Sequence, residues 1–355
     1  MNTQTVSKQP TRNKKSKYLL LIPIVALLLV IAAVIFTASV FRVVSLSGYA
    51  DTFVLKPNQL RMGILIIDNG ASAVLQKNSH WIGPIISTEG SLAIEDNATI
   101  NGPVVLFSNG LRLGENSIVD GSIVLFSGGL TLEPGARVLH NAVLFSGGLT
   151  LEPRASLRQN AVLFFGNLRL EQEASIRRNT VLFFGSTLIG REAYVYGKLV
   201  SFFGGLELAP KAVLHDDAIL FFGNVHLYPE AQVRGDVIAT EGDAILDDKS
   251  TIYGKLFLSP DPKWGRIAQS SEAQITRGVV KPENIDSIAG WRIAGWVLAL
   301  VLIQTIKFIL PLVIIIGILM ALMFFLGWQG RSLKPKDKAK TPRVEASPQP
   351  TSPAL

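Results

Sequence analysis

The chain of 355 residues is 48% hydrophobic, has a mean hydropathy of +0.35 and contains no cysteine. The lack of cysteine excludes disulfides, thiolate metal sites and cysteine catalysis. The net charge of +7 arises in the tails, since residues 1–17 carry five Lys or Arg and no acid, and residues 329–355 carry six and two. Residues 42–291 carry 21 basic and 25 acidic residues, which argues against nucleic acid as a partner.

The N-terminal region begins with a polar, basic tail, residues 1–17, which is predicted to be disordered. Residues 18–41 form a nearly uncharged apolar run, long enough for a transmembrane helix. No clear small-x-small cleavage site ends this run, which favours an uncleaved anchor over a signal peptide. Residues 42–67 are mixed, with strands predicted at 53–55 and 62–67, and are expected to cap the following region or to lead into it.

A repeat of nineteen residues occupies residues 68–257 and predicts the fold. A fixed period near twenty, built of short apolar runs and glycine turns, is typical of a solenoid. The sequence therefore predicts an all-β parallel β-helix of about ten coils, flanked by two transmembrane α-helices. Seven copies open with an apolar run that ends in phenylalanine, at Phe107, Phe126, Phe145, Phe164, Phe183, Phe202 and Phe221.

The equivalent positions of successive copies predict the shape of one coil. A glycine two residues after each phenylalanine, replaced once by Asn109, indicates a corner with positive φ. A short alternating strand follows, as at residues 130–132, and prolines such as Pro134 mark the next turn. A column of ten small residues that includes Ala136 indicates a tight inner position. Each coil is predicted to contain three strands and three turns.

The apolar run of each copy is hydrophobic at consecutive positions, whereas a half-buried strand would alternate. One side of this sheet is therefore expected to present an apolar stripe outward, although the sequence does not show whether the leucine or the phenylalanine column faces out. Either the flanking segments 43–67 or 259–290 cover the stripe, or it contacts another protomer, a partner or lipid. The candidate residues are Leu125, Phe126, Leu144, Phe145, Leu163, Phe164, Phe165, Leu182, Phe183, Phe184, Phe203 and Phe222.

The region after the repeat returns to the membrane in this interpretation. Residues 258–287 are predicted to be an irregular linker, and residues 288–307 an interfacial helix or an extension of the next one. Residues 308–328 form a second apolar span, and residues 329–355 a disordered basic tail. Because both basic tails flank membrane spans, both termini are expected in the cytoplasm and the β-helix on the other side of the cell membrane.

Catalytic and metal-binding patterns do not emerge from the sequence, and no cofactor is predicted. The four histidines fall in different columns of the repeat, and no Ser-His-Asp arrangement, phosphate loop or HExxH motif occurs. Glu133, Glu152 and Glu171 share one column, where a cation such as Ca²⁺ would relieve their repulsion. The adjacent Arg154 and solvent screening offer the simpler explanation.

The repeat units, such as residues 124–136 with the sequence VLFSGGLTLEPGA, resemble those of the bactofilins, the polymer-forming cytoskeletal proteins. The resemblance covers residues 68–257. It implies a right-handed β-helix that associates end to end into non-polar filaments without nucleotide, and it implies no catalytic residues. The chain departs from the family in having two predicted spans and a repeat region placed outside the cytoplasm.

Three functions are compatible with these patterns. The first is a non-enzymatic, membrane-anchored scaffold whose β-helix forms a homo-oligomer or polymer, or organises envelope components, with the lipid bilayer as a further partner. The second is a binding module for an envelope polysaccharide or protein on the faces of the β-helix. The third is a β-helix enzyme, which the small number of candidate acid and base residues disfavours.

Overall fold

The computed structural model describes residues 42–261 and 263–281. These residues form 36 strands and no helix, in an all-β parallel solenoid of about twelve turns. In the same part of the chain, no helix is long and apolar enough to cross a membrane. The tails and apolar segments predicted at 1–17, 18–41, 288–307, 308–328 and 329–355 lie outside the described residues.

Each coil contributes one strand to each of three faces, as the sequence predicts. The phenylalanine face contains the apolar runs, in the strands Arg42–Ser47, Leu60–Asp68 (second half), Ile85–Ser87, Val104–Leu106, Ile123–Leu125, Ala142–Ser146, Ala161–Phe165, Thr180–Phe184, Leu199–Phe203, Ala218–Phe222, Val237–Glu241, Leu256–Leu258 and Val279–Val280. The leucine face contains Thr52–Leu55, Ser72–Leu75, Ser91–Ile94, Leu111–Leu113, Leu130–Leu132, Leu149–Leu151, Leu168–Leu170, Thr187–Ile189, Leu206–Leu208, Val225–Leu227, Ala244–Leu246 and Ile267–Gln269.

The third face, called the arginine face for its outward side chains, is built from shorter strands. It contains Leu60–Asp68 (first half), His80–Ile82, Thr99–Asn101, Ile118–Asp120, Arg137–Val138, Ser156–Leu157, Ser175–Ile176, Tyr194–Val195, Val213–Leu214, Gln232–Val233, Thr251–Ile252 and Gln274–Ile275. The strand Leu60–Asp68 continues around the corner, so it pairs with strands of both the arginine and the phenylalanine faces.

Strands of successive coils are parallel and pair at a constant offset of nineteen residues, as in Leu125 with Leu144 and Leu144 with Leu163. The solenoid is longer than the predicted residues 68–257. Arg42 pairs with Gly63, at an offset of 21, and Ala244 pairs with Ile267, at an offset of 23. Residues 42–67 and most of the predicted linker, residues 258–287, are therefore coils. Extra residues at the corners change the spacing there and hide the repeat.

The core runs along the inside of all three faces. Leucines such as Leu132 and Leu151 on the leucine face are no more than 1% exposed, and valines such as Val138 on the arginine face are fully buried. The predicted column of small residues is confirmed, because Ala136 and its nine equivalents are at most 1% exposed. Burial of apolar area at about 25 cal/mol per Å² is the main term that stabilises such a stack.

The glycine corner packs the backbones of successive coils against each other. A Cβ atom on Gly166 would lie 2.2 Å from the carbonyl oxygen of Gly147, and Gly166 has a φ of 153°. The predicted positive φ is present from Asn109 to Gly223, with φ values from 70° to 159°. At Gly166, glycine meets both conditions without displacing the neighbouring coil, whereas Asn109 holds the same column at a φ of 70°.

The proline turn also contains a residue with positive φ, in addition to the one predicted at the glycine corner. The N–H of Ala136 donates to the carbonyl of Glu133 at 2.9 Å, and Gly135 has a φ of 73°. Proline followed by a residue of positive φ is the pattern of a type II turn. Later coils place charged residues at this position, including Arg154 at 64° and Glu173 at 59°.

Candidate functional site

The orientation of the apolar strand determines which side chains reach the surface of the phenylalanine face. In the strand Ala142–Ser146, Leu144 is fully buried in the solenoid core. Val143 is also fully buried, although it lies outside the contiguous core cluster, and its equivalents from Val105 to Ile219 are at most 6% exposed. Phe145 is half-buried and Ser146 is exposed. The phenylalanine column, and not the leucine column, therefore faces outward.

The leucines among the candidate stripe residues do not form part of an outward surface. All four are fully buried members of the core, because their position in the strand alternates with that of the outward phenylalanine. One coil after the last of them, the same inner column holds Ser201, whose hydroxyl donates to the carbonyl of Gly204 at 3.0 Å. The four leucines are Leu125, Leu144, Leu163 and Leu182.

The outward phenylalanines form a continuous ladder of seven rings along the solenoid. Neighbouring ring centroids lie 4.6 to 4.9 Å apart, and the ring planes differ by at most 8°. This spacing equals the distance between hydrogen-bonded strands, about 4.8 Å, so the backbone sets the stacking distance. The rings of this ladder are those of Phe107, Phe126, Phe145, Phe164, Phe183, Phe202 and Phe221.

A second ladder lies beside the first and is more exposed. Its rings stack at 4.8 to 5.0 Å. Their exposed fractions lie between 43% and 58%, and they belong to Phe165, Phe184, Phe203 and Phe222. The same column carries serine in the three preceding coils, and Glu89 and Glu241 beyond its two ends. The exposed aromatic surface is thus confined to four consecutive coils and bounded by polar residues.

The flanking segments proposed as covers do not cover this surface in their described parts. Residues 42–67 form the first coils, and residues 267–280 form the strands of the last turn. Some of their apolar side chains pack inside the solenoid, as Phe53 and Leu55 do, whereas Leu60 and Val279 are exposed to solvent. The rings of the second ladder consequently remain open over the part of the chain that the structure describes.

The four histidines occur as single residues, and two of them have a carboxylate partner. His140 lies 3.2 Å from a carboxylate oxygen of Asp120, and His226 lies 3.1 Å from one of Asp247. No cluster of three or more potential metal-binding side chains occurs among residues 42–261 and 263–281. Two of the three carboxylates considered for a cation have cationic neighbours instead, since Arg112 pairs with Glu133 and Arg169 pairs with Glu171.

A groove of about 470 Å³ on the leucine face is lined by charged residues that neutralise each other. Lys77 and Asp96 approach to 2.8 Å, and the hydrogen bond from Lys77 lowers the pKa of the Asp96 carboxyl. Arg112 and Glu133, at the other side of the groove, form a second pair. Both pairs are at the surface, where ion pairs contribute little to stability. Glu95, a further carboxylate of the groove, accepts a hydrogen bond from the backbone N–H of Lys77 at 3.1 Å.

Comparisons with known proteins add no assignment, because no protein-family model, curated protein or solved structure matches this chain.

Proposed function

We propose that the protein is a non-enzymatic, membrane-anchored scaffold whose β-solenoid self-associates through the phenylalanine face. The observation that supports this function best is the second ladder, in which four phenylalanine rings are 43% to 58% exposed. Exposed aromatic rings in contiguous array are typical of contact surfaces. Two copies of the ladder can pair face to face because every ring repeats at the same interval along both copies.

Association through the ends of the solenoid is the second route in this proposal. The terminal strands Arg42–Ser47 and Val279–Val280 each have one strand partner among the described residues. An unpaired strand edge accepts another strand readily. The chain continues beyond both terminal coils into the apolar segments 18–41 and 288–328, which favours pairing through the side of the solenoid. We also propose that the solenoid is right-handed, as the resemblance to bactofilins implies.

The membrane part of the proposal rests on the sequence. Residues 18–41 and 308–328 are apolar runs of spanning length, each next to a basic tail. The positive-inside rule then gives cytoplasmic termini and an extracytoplasmic solenoid. A two-span anchor would hold the solenoid at the membrane, where association is favoured by a high local concentration.

The association test uses serine, the residue that this column carries in the preceding coils. The variant Phe165→Ser, Phe184→Ser, Phe203→Ser, Phe222→Ser removes the second ladder, and the control Thr131→Ser, Thr150→Ser changes the leucine face. Sedimentation of the purified full-length protein in detergent is expected to show oligomers for the natural chain and the control, and monomers for the quadruple variant. A natural chain that is monomeric at high concentration, or oligomers in all three proteins, would contradict the proposal.

Single cysteines test both the contact and the topology, because the chain has none of its own. Ser146→Cys, beside the second ladder, is expected to form cross-linked dimers in membranes, whereas Thr150→Cys on the leucine face is not. A membrane-impermeant maleimide is expected to label Thr150→Cys in spheroplasts without lysis. Labelling only after lysis would place the solenoid in the cytoplasm and overturn the topology. Binding of the Ser146→Cys face to liposomes without cross-linking would identify lipid as its partner.

A further inference from the structure

The arginine face carries a column of cationic and aromatic side chains. They occupy equivalent positions in six consecutive coils, directly after the inward residue of each short strand, and they are Arg158, Arg177, Tyr196, His215, Arg234 and Tyr253. Backbone hydrogen bonds fix their spacing, since the N–H of Arg177 donates to the carbonyl of Leu157 at 2.9 Å. That of Arg234 donates to the carbonyl of Leu214 at 2.8 Å.

The column is accessible along most of its length. Arg158, Arg177 and Arg234 are exposed, and Tyr196 and Tyr253 are 46% and 44% exposed. The half-buried His215 stacks on Tyr196, with ring centroids 4.5 Å apart. Burial, and then the charge of Arg234, lower the pKa of His215. The imidazole is therefore mostly neutral near pH 7 and extends the aromatic surface of Tyr196.

The arginines of this column differ from those of the leucine face in having no ion-pair partner. Arg112 and Arg169 on the leucine face each contact a glutamate. In the described ranges, no carboxylate lies within 4.0 Å of a guanidinium nitrogen of Arg158, Arg177 or Arg234. The same is true of Arg178, which occupies the next column beside Arg177.

Carboxylates close to this column in the sequence have other partners, and Asp236 accepts a hydrogen bond from the backbone N–H of Lys255 at 2.8 Å. Asp120 pairs with His140 at 3.2 Å, and Lys198 contacts both Asp216, at 3.5 Å, and Asp217. Arg158 and Arg177 are thus like charges in neighbouring coils, about 4.8 Å apart along the backbone. Their repulsion is relieved when an anion lies across them.

We infer that this column binds an anionic polysaccharide that lies along the solenoid. The guanidinium groups would contact its carboxylate, sulfate or phosphate groups, and the tyrosine rings would pack on the apolar faces of its sugars. The interval between coils is close to the length of one sugar in an extended glycan, so consecutive side chains meet consecutive sugars. The site lies on a different face from the phenylalanine ladders and does not depend on self-association.

A nucleic acid is the other linear polyanion that arginine and aromatic rings recognise. Its binding is dominated by phosphate contacts and is favoured by a positive field over the whole domain. Residues 42–291 carry 25 acidic and 21 basic side chains, so the solenoid lacks such a field. The combination of a narrow basic column with a slightly acidic body favours a glycan of moderate charge density.

The test uses polygalacturonate as the anionic probe and amylose as the neutral one, with purified full-length protein. The variant Arg158→Asn, Arg177→Asn, Arg178→Gln introduces residues that the same columns carry in other coils, at Asn101 and Gln159. The control Arg112→Thr, Arg169→Thr removes paired arginines, with Thr131 and Thr150 as precedents. The triple variant is expected to bind polygalacturonate at least tenfold more weakly, the control within twofold of the natural chain, and amylose not at all.

Two further measurements separate the proposed site from general charge attraction. Tyr196→Asn is expected to weaken polygalacturonate binding several-fold and to leave the binding of polyphosphate unchanged, because only the sugar has a face for the ring. Equal losses for the triple variant and the control would overturn the inference, as would the absence of polygalacturonate binding to the natural chain. Tighter binding of poly(dT) than of polygalacturonate would assign the column to nucleic acid instead.

Discussion

The two halves of the phenylalanine face share one backbone and differ at one outward position. In the first half this column carries Ser108, Ser127 and Ser146, and in the second half four phenylalanines that begin at Phe165. Ser146 and Phe165 pair in the regular parallel register, and so do Phe222 and Glu241 at the far end. The coil therefore accepts serine, phenylalanine or glutamate here without a change of register.

The difference indicates that the exposed rings are unnecessary for the fold. A residue required by the coil would recur in every coil, as the small residues equivalent to Ala136 do. Phe165 instead leaves 58% of its surface in water, which the serine coils avoid. Keeping large apolar groups exposed is unfavourable unless they are buried in a contact. The comparison thus separates the inner columns, which stabilise the coil, from the second ladder, for which we propose a role in association.

The largest effect is expected from an inner residue beside this ladder. Leu163→Ala removes a fully buried side chain and is expected to lower the free energy of unfolding by about 2–5 kcal/mol, because a cavity remains in the core. Phe165→Ser, two residues along the same strand, is expected to change it by less than about 1 kcal/mol. Urea denaturation followed by circular dichroism measures both. Similar losses for the two variants would show that the second ladder stabilises the coil.

The glycine corner is expected to be the next most sensitive position. Gly166→Ala places a Cβ atom 2.2 Å from the carbonyl oxygen of Gly147 at a φ of 153°. We therefore expect the free energy of unfolding to fall by about 1–3 kcal/mol or more. Gly148→Asn is the matched control, because Asn167 occupies the same column in the next coil. The melting temperature should fall for Gly166→Ala only. An unchanged melting temperature for that variant would mean that the corner relaxes freely.

Replacing the serines of the first half by phenylalanine tests the same comparison in the opposite direction. Ser108→Phe, Ser127→Phe, Ser146→Phe extends the second ladder to seven rings. We expect a change in the free energy of unfolding below about 1 kcal/mol and stronger self-association, since stacked aromatic pairs contribute about 0.5–1.5 kcal/mol each when buried. Sedimentation over a range of concentrations gives the association constant. Weaker association than in the natural chain would exclude the phenylalanine face as the contact.

The smallest effect is expected in the last turn, beyond the second ladder, where the offset between coils increases from 19 to 23 residues. The N–H of Arg266 donates to Asp243 at 3.0 Å, and this bond, followed by the guanidinium, lowers the pKa of the carboxyl below 3.8. The carboxylate thus stabilises the last turn above that pH, and the contribution is lost as the pH falls through the lower folded value. Asp243→Asn is expected to flatten the acid-induced rise in pepsin cleavage of residues 263–281. An equally steep rise in both proteins would contradict this role.

Most of the coil could be predicted from the sequence because its chemistry repeats at a constant interval. The three strands, the glycine corner and the small inner column all recur at nineteen residues. The first and last turns could not be found this way. Offsets of 20 to 23 residues displace their side chains from the columns, although Arg42 and Ile267 lie in regular parallel strands.

The surface was harder to predict than the core. The run Val143-Leu144-Phe145 is apolar at three consecutive positions, so hydrophobicity alone does not distinguish its inner from its outer side chains. The column on the arginine face is hard to recognise because its six members belong to three residue types, Arg, Tyr and His, in a body of slightly negative charge. Listing the residues of this column in order, from Arg158 to Tyr253, would show that they are all cationic or aromatic.

The constant offset between residues 72 and 258 has a consequence for how such a protein changes over generations. Duplication or loss of nineteen residues within this region adds or removes one whole coil and leaves every remaining register intact. The same event in the second half lengthens or shortens both aromatic ladders by one ring. The length of the aromatic ladders and the number of coils are therefore inherited together, and both change by duplication or deletion of a coil.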